Sequence, residues 1–177
     1  MIYIIRHGQT EKNKANVLQG RSDVPLNEAG VRQAEEAAKW FAEQGIAFDA
    51  VYSSPLTRAR RLAAYCGYPD PVIENRVLEV NYGKWEMTSF IDDPDPAMLE
   101  WYRDWKNVRP PGGESFRDAF IRLSGFIEEL KSSGMERVAV FCHGGMLICA
   151  AIYAGSIDFD ASLPGAFEYG EILKINV

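Results

Sequence analysis

Ile2-Tyr3-Ile4-Ile5-Arg6-His7-Gly8 opens the chain with an apolar, β-prone run that ends on a cation, an imidazole and a glycine. A second stretch of the same design lies far downstream, where Val138-Ala139-Val140-Phe141-Cys142 runs into His143-Gly144-Gly145. Continuous apolar runs of strand length belong in the middle of a parallel sheet that is covered on both faces. The chain has two histidines, and each closes one of these runs.

Helical patterns alternate with strands between and beyond them. Asn27 can cap a helix whose buried stripe reads Val31, Ala34, Ala38 and Phe41, with Gly45 as its stop. Residues 48–52 predict a strand running into Ser53-Ser54-Pro55, where Ser54 serves as N-cap and Pro55 as first-turn proline. That places Arg58 about one turn into the next helix. Residues 72–74 allow a short strand, and 76–85 has no clear period. Phe116, Phe120, Leu123, Ile127 and Leu130 lie on one face of a helix ended by Ser133-Gly134, an apolar helix follows Gly145, and residues 170–177 predict a last strand. This alternation predicts an α/β fold: a three-layer α/β/α sandwich with a mostly parallel central sheet.

At 177 residues, 47% of them hydrophobic, the chain is expected to be one domain over 1–177. The exception is a cap-like insertion at about 87–111, rich in Asp and Pro and carrying Trp101, Tyr102 and Trp105. These aromatics either anchor the insertion or stack on a substrate ring. A net charge of -6 and a pI near 5.0 argue against nucleic acid or an anionic membrane as partner. Small anionic ligands remain open to a locally positive pocket. Cys66, Cys142 and Cys149 sit in apolar segments and read as reduced packing thiols. No signal peptide or membrane span is recognisable, so a soluble, cytoplasmic protein is expected.

Ligands of parallel sheets bind beyond the carboxyl ends of the strands, where Arg6, His7, Ser53, Ser54 and His143 fall. Neither histidine has the His-x-x-x-His or nearby Cys-x-x-Cys spacing of a metal site, and no metal or cofactor is predicted. Arginine presents a planar fork to phosphate oxygens, so Arg6 and Arg58 beside two imidazoles suggest a cradle for a tetrahedral dianion. Gly144 and Gly145 allow close backbone approach at a helix start. Other phosphate chemistries lack their signatures. No Gly-x-x-x-x-Gly-Lys-[Ser/Thr] loop occurs, and the residues six after the cysteines are Val72, Ile148 and Gly155, not arginine. Asp93-Pro94-Asp95 has the outline of an aspartate nucleophile motif, but its proline-rich setting without a preceding strand argues against that use.

Five motifs now coincide in order: Arg6-His7-Gly8-Gln9-Thr10-Glu11-Lys12-Asn13; Ser53-Ser54-Pro55-Leu56-Thr57-Arg58-Ala59; Leu78-Glu79 with Tyr82-Gly83-Lys84-Trp85-Glu86; Pro111-Gly112-Gly113-Glu114-Ser115; and His143-Gly144-Gly145. Together they resemble the histidine phosphatase superfamily, which includes cofactor-dependent phosphoglycerate mutases and α-ribazole phosphatase. The resemblance implies a phosphoglycerate mutase-like fold with His7 as the nucleophile that takes the phosphoryl group. It implies that Arg6, Arg58 and His143 hold the oxygens, with arginines and imidazolium in place of metal ions. Glu79 resembles the proton donor to the leaving oxygen, a role that needs its protonated form near neutral pH. Asn13 resembles a further phosphate contact, Gln19 and Gly20 line the substrate side, and Gly144 stands at the phosphate-facing helix start. Leu62 replaces a threonine of many relatives and Met87 a glycine, which bears on substrate contacts and loop shape.

Three functions are compatible with this set: a phosphatase, a mutase, and a phosphate-binding protein without catalysis. Every residue that the chemistry needs is present, which disfavours the third. Mutases of the group resemble one another in a longer, more basic segment after the acid. Here only about thirty residues separate Glu79 from Gly112, and they are acidic around Asp92. An open cap favours water as acceptor. The expected substrate is a small phosphorylated metabolite, with α-ribazole 5'-phosphate suggested by the resemblance.

Overall fold

In the computed structural model, which describes residues 1–92 and 95–176, the two apolar runs lie side by side. β1 (Ile2–Arg6) leads to a short helix α1 (Glu11–Lys14), a long helix α2 (Glu28–Gln44), β2 (Ala50–Ser53), α3 (Thr57–Tyr65) and β3 (Val72–Ile73). Two 3-10 turns, Asn75–Val77 and Gly83–Trp85, precede α4 (Ala97–Arg103), α5 (Phe116–Ser132), β4 (Val138–Cys142), α6 (Gly144–Tyr153) and β5 (Ile172–Ile175). The sheet order is β3-β2-β4-β1-β5. Its first four strands run parallel, and β5 pairs antiparallel with β1 at the edge.

Strand alternation sends successive side chains to opposite faces, and helices cover both. Tyr3, Ile5, Ala139 and Phe141 meet Ala34, Ala37 and Phe41 of α2 and Leu62 and Ala63 of α3. Ile2, Ile4, Val138 and Val140 meet Leu123, Phe126 and Ile127 of α5 and Met146, Cys149 and Ala150 of α6. This is the expected three-layer α/β/α arrangement. Cys142 and Cys149 are buried, Cys66 is half-buried, and all three are free. Burial pushes the Cys66 thiol up to about 12, which makes it inert at neutral pH.

Several local expectations need correction. Ala37 and Gly30 take the buried face of α2 in place of Ala38 and Val31. Ser54 is not the cap of α3, which starts at Thr57 after Leu56. Its hydroxyl is engaged by His143 across the sheet, while Asp23 takes the backbone N–H and hydroxyl of Thr57. The stretch without a clear period holds the two 3-10 turns. Asp93 and Pro94, and with them most of the aspartate motif considered above, lie outside the described residues, as does Val177 of the last strand. Asp95 ties the start of α4 to the 3-10 turn at Gly83–Trp85, accepting from the Trp85 indole N–H at 3.0 Å and from the Ala97 N–H. Trp105 is buried against Phe116 and Phe159, an anchoring use. Met87 adopts φ 63°, the left-handed region a glycine would take, and its N–H bonds the Leu18 carbonyl. Leu62 is wholly buried beside Tyr3 and Phe141.

Candidate active site

With β4 between β1 and β2, the carboxyl ends of these three strands are neighbours. His7 follows β1, His143 follows β4 and Ser54 follows β2, so residues far apart in the chain converge on one end of the sheet. The His7 and His143 rings stand edge to face, centroids 5.2 Å apart. His7 is 3% exposed and His143 is fully buried.

The partners of His7 settle its tautomer. Its Nδ1 lies 2.6 Å from the Gly8 carbonyl, which can only accept, so Nδ1 carries the proton. Its Nε2 receives the Nε–H of Arg58 at 3.2 Å, so Nε2 presents a lone pair. Burial first, then the Arg58 charge, push His7 well below the usual imidazole range, with the Gly8 carbonyl acting against them and Arg6 with them. The ring is neutral. His143 is lowered in the same way, by burial and then by Arg58, His7, Arg122 and Arg6. Burial and these neighbours thus disfavour the imidazolium expected at His143. A phosphate dianion is the charge that would oppose these causes.

Arg58 enters from the second residue of α3 and is 1% exposed. Its Nη1 and Nη2 bond the carbonyls of Ser22 at 2.8 Å and Gly20 at 2.7 Å, fixing the loop opposite. Glu86 secures the same loop through the N–H groups of Arg21 and Ser22 and the Ser22 hydroxyl. Arg6 donates to the Phe167 carbonyl and lies 4.1 Å from the Tyr169 ring centroid, while its Nε has no protein partner among the described residues. His143 Nδ1 is likewise unpartnered. Glu79 accepts from the Val80 N–H at 2.9 Å and from the Gly145 N–H of α6 at 3.2 Å.

Arg6, His7, Arg58 and Glu79 line one cavity of about 320 Å³. Asn13, Gln19, Gly20 and Gly144, the other residues expected here, line it too. His143 sits behind them. Asn13 also closes the capping box of α1 with Thr10, and Gln19 accepts from the Thr10 hydroxyl. A second cavity of about 270 Å³ adjoins the first and shares Leu18, Tyr82, Phe90 and Phe116 with it. Trp101 and Tyr102 of α4 line this apolar annex. Arg6 and Arg58 are the only arginines or lysines lining either cavity among the described residues. No group of three or more metal-ligating side chains occurs among those residues, and none of their helices is long and apolar enough to cross a membrane.

Sequence reasoning missed Ser54 as a partner of His143, Glu86 as a loop clamp, and the Phe167–Tyr169 segment at Arg6. Ser54 and Glu86 stood within recognised motifs, which was a usable signal. Residues 157–171 have no period that marks them.

The pattern of the histidine phosphatase superfamily (branch 1) matches residues 2–176, and the chain belongs to that superfamily. It is 36% identical over 163 residues to the 2,3-bisphosphoglycerate-dependent phosphoglycerate mutase of Methylobacterium sp. (strain 4-46), covering 83% of this chain and 76% of that one. Among solved structures, the mycobacterial glucosyl-3-phosphoglycerate phosphatase Rv2419c in complex with VO3 is similar at a TM-score of 0.81 and 26% identity, over 97% of this chain and 90% of that one. The phosphoglycerate mutase from Thermus thermophilus gives 0.78 and 28% over the same shares. The fold is phosphoglycerate mutase-like, and the relatives include both phosphatases and mutases.

Proposed function

We propose that this chain is a phosphatase that hydrolyses a small phosphomonoester through a phosphohistidine on His7, without a metal ion. The observation that carries the reading is the neutral His7 ring with its Nε2 lone pair beside Arg58, in a cavity that Arg6 and Glu79 share. In the first step Nε2 attacks phosphorus and the ester oxygen leaves with a proton from Glu79. Arg6, Arg58 and His143 take the phosphoryl oxygens, and the Arg58 Nε–H passes from Nε2 to one of them. In the second step water attacks the phosphohistidine, Glu79 accepts its proton, and phosphate departs with His7 restored. Positioning and charge supply most of such catalysis.

Hydrolysis is favoured over isomerisation by what surrounds the phosphate position. Phosphoglycerate carries a carboxylate and bisphosphoglycerate a second phosphate, yet beyond Arg6 and Arg58 the described lining offers no cation to either. The apolar annex suits an alcohol with a ring or other apolar part, and α-ribazole 5'-phosphate fits that description. The mutase reading has its own support in the 36% identity to a mutase. The test is a screen of phosphorylated metabolites that includes α-ribazole 5'-phosphate, and 3-phosphoglycerate with and without 2,3-bisphosphoglycerate. Phosphate release with acid-labile labelling of the protein is expected, and His7→Ala abolishes both while the fold survives. Isomerisation that depends on bisphosphoglycerate would make the chain a mutase, and full activity in His7→Ala would overturn the phosphohistidine.

A further inference from the structure

Glu79 lies on an irregular segment between two 3-10 turns, and side chains from a distant part of the chain clamp the backbone around it. Arg122, in the second turn of α5, donates through Nη1 to the carbonyl of Arg76 at 2.5 Å and through Nη2 to the carbonyl of Glu79 itself at 3.2 Å. Glu114 receives two hydrogen bonds from Arg122, Nη2 to Oε1 at 2.8 Å and Nε to Oε2 at 3.2 Å. Its Oε1 also accepts the backbone N–H of Asn81 at 3.0 Å. One ion pair thus holds the chain before, at and after Glu79. Both side chains are largely buried, at 16% and 15% exposure. An arginine fork bound to a carboxylate and two carbonyls is a rigid support, and lysine could not reproduce it.

The same carboxylate reaches across to the opposite wall. Arg21 Nη2 lies 3.3 Å from Glu114 Oε1, and Arg21 follows Gly20, whose carbonyl is bound by Arg58. Neither Arg122 nor Glu114 lines the cavity with His7.

We propose that the Arg122–Glu114 ion pair is a positioning device for the proton donor, setting the Glu79 backbone so that its carboxyl meets the ester oxygen as the bond to phosphorus breaks. This rests on Glu79 being that donor. An acid that must meet one oxygen tolerates little displacement, since about 1 Å of misplacement costs on the order of 10²-fold in rate. A phenolate that is a weak base leaves without a proton, whereas a strongly basic one needs it. Loss of the clamp must therefore harm slow-leaving substrates selectively.

The experiment compares phenyl phosphate with p-nitrophenyl phosphate in the full chain, using Arg122→Met, Arg122→Lys, Glu114→Gln and Glu79→Gln, with folding checked by circular dichroism. Arg122→Met is expected to lower kcat/KM on phenyl phosphate by about 10²-fold or more while p-nitrophenyl phosphate loses less than about 5-fold, kcat/KM being the readout because it ends at departure of the phenol and excludes the later attack of water that both substrates share. Glu79→Gln should show the same selectivity, and Arg122→Lys should not rescue it. Equal losses on both substrates in Arg122→Met, beside a selective Glu79→Gln, overturn the clamp and leave the acid in place. An unselective Glu79→Gln removes the donor reading itself and the clamp with it. Should Arg122→Met not fold, the nearly isosteric Glu114→Gln carries the comparison by the same criteria.

Discussion

In the proposed mechanism His7 attacks through the nitrogen that carries no proton, and two neighbours decide which nitrogen that is. The Gly8 carbonyl takes the Nδ1–H, and Arg58 both donates to Nε2 and discourages a second proton. Nitrogen NMR should find His7 neutral and in the Nδ1–H form at pH 6.5, with protonation only well below it; an imidazolium signal at that pH would contradict the site described. Arg58 acts on three partners at once, His7, Gly20 and Ser22. Arg58→Met is expected to lower kcat by about 10²-fold or more, as for one lost transition-state donor. Lysine there keeps a charge without the fork and should restore little of it, as steady-state kinetics would show. That the two histidines meet at one end of the sheet was legible because each ends an apolar strand and is followed by glycine. Their protonation was not, since it depends on a guanidinium 51 residues from His7 and on burial that only the folded sheet creates.

The start of α2 is the element that fixes the turn after His7. Its cap Asn27 bonds the Gln9 carbonyl through N–H and the Gln9 side chain through Nδ2, and Gln33 accepts the Gln9 N–H. The approach is so close that a Cβ on Gly30 would lie 2.0 Å from the Gln9 carbonyl oxygen, a backbone atom that cannot swing aside. Gly30→Ala should thus cost about 1–3 kcal/mol in urea denaturation and depress kcat by shifting the His7 turn. Gly125, exposed within α5 with nothing within 4 Å of its would-be Cβ, is the contrasting case: Gly125→Ala should stabilise by about 0.5–1 kcal/mol and leave kcat unchanged. α2, α5, β1 and β4 were readable because their apolar periods are long and their caps conventional. The antiparallel sense of β5 and the 3-10 turns around Glu79 were not. Each depends on pairing or side-chain clamping between distant segments, which leaves no period in the local sequence.

For the molecule as a whole, the converging strand ends bury two histidines, and this couples folding to pH. Burial is the first cause that lowers both His7 and His143 below the 6.5 of an unfolded chain. Below pH 6.5 the unfolded state therefore binds protons that the folded state refuses, and stability falls as pH falls until the depressed folded values are reached. Each histidine contributes a slope of up to about 1.4 kcal/mol per pH unit in that window. A separate loss begins at lower pH. Burial works to raise Glu114 and Asp118, but hydrogen bonds from Arg122 in the first case and from Arg109 and Ser115 in the second prevail, holding Asp118 at about 2. Their stability contribution is present above the unfolded carboxylate values and disappears as pH drops through the folded ones. Urea denaturation between pH 7.5 and 5 should accordingly show decreasing stability before any carboxylate of usual affinity titrates. His7→Gln replaces a donor toward Gly8 and an acceptor toward Arg58 with a group that does not titrate, so its profile should be shallower over this window. An unchanged slope in that variant would show that His7 takes its proton in the folded state as readily as in the unfolded chain, and would remove the basis for a neutral nucleophile.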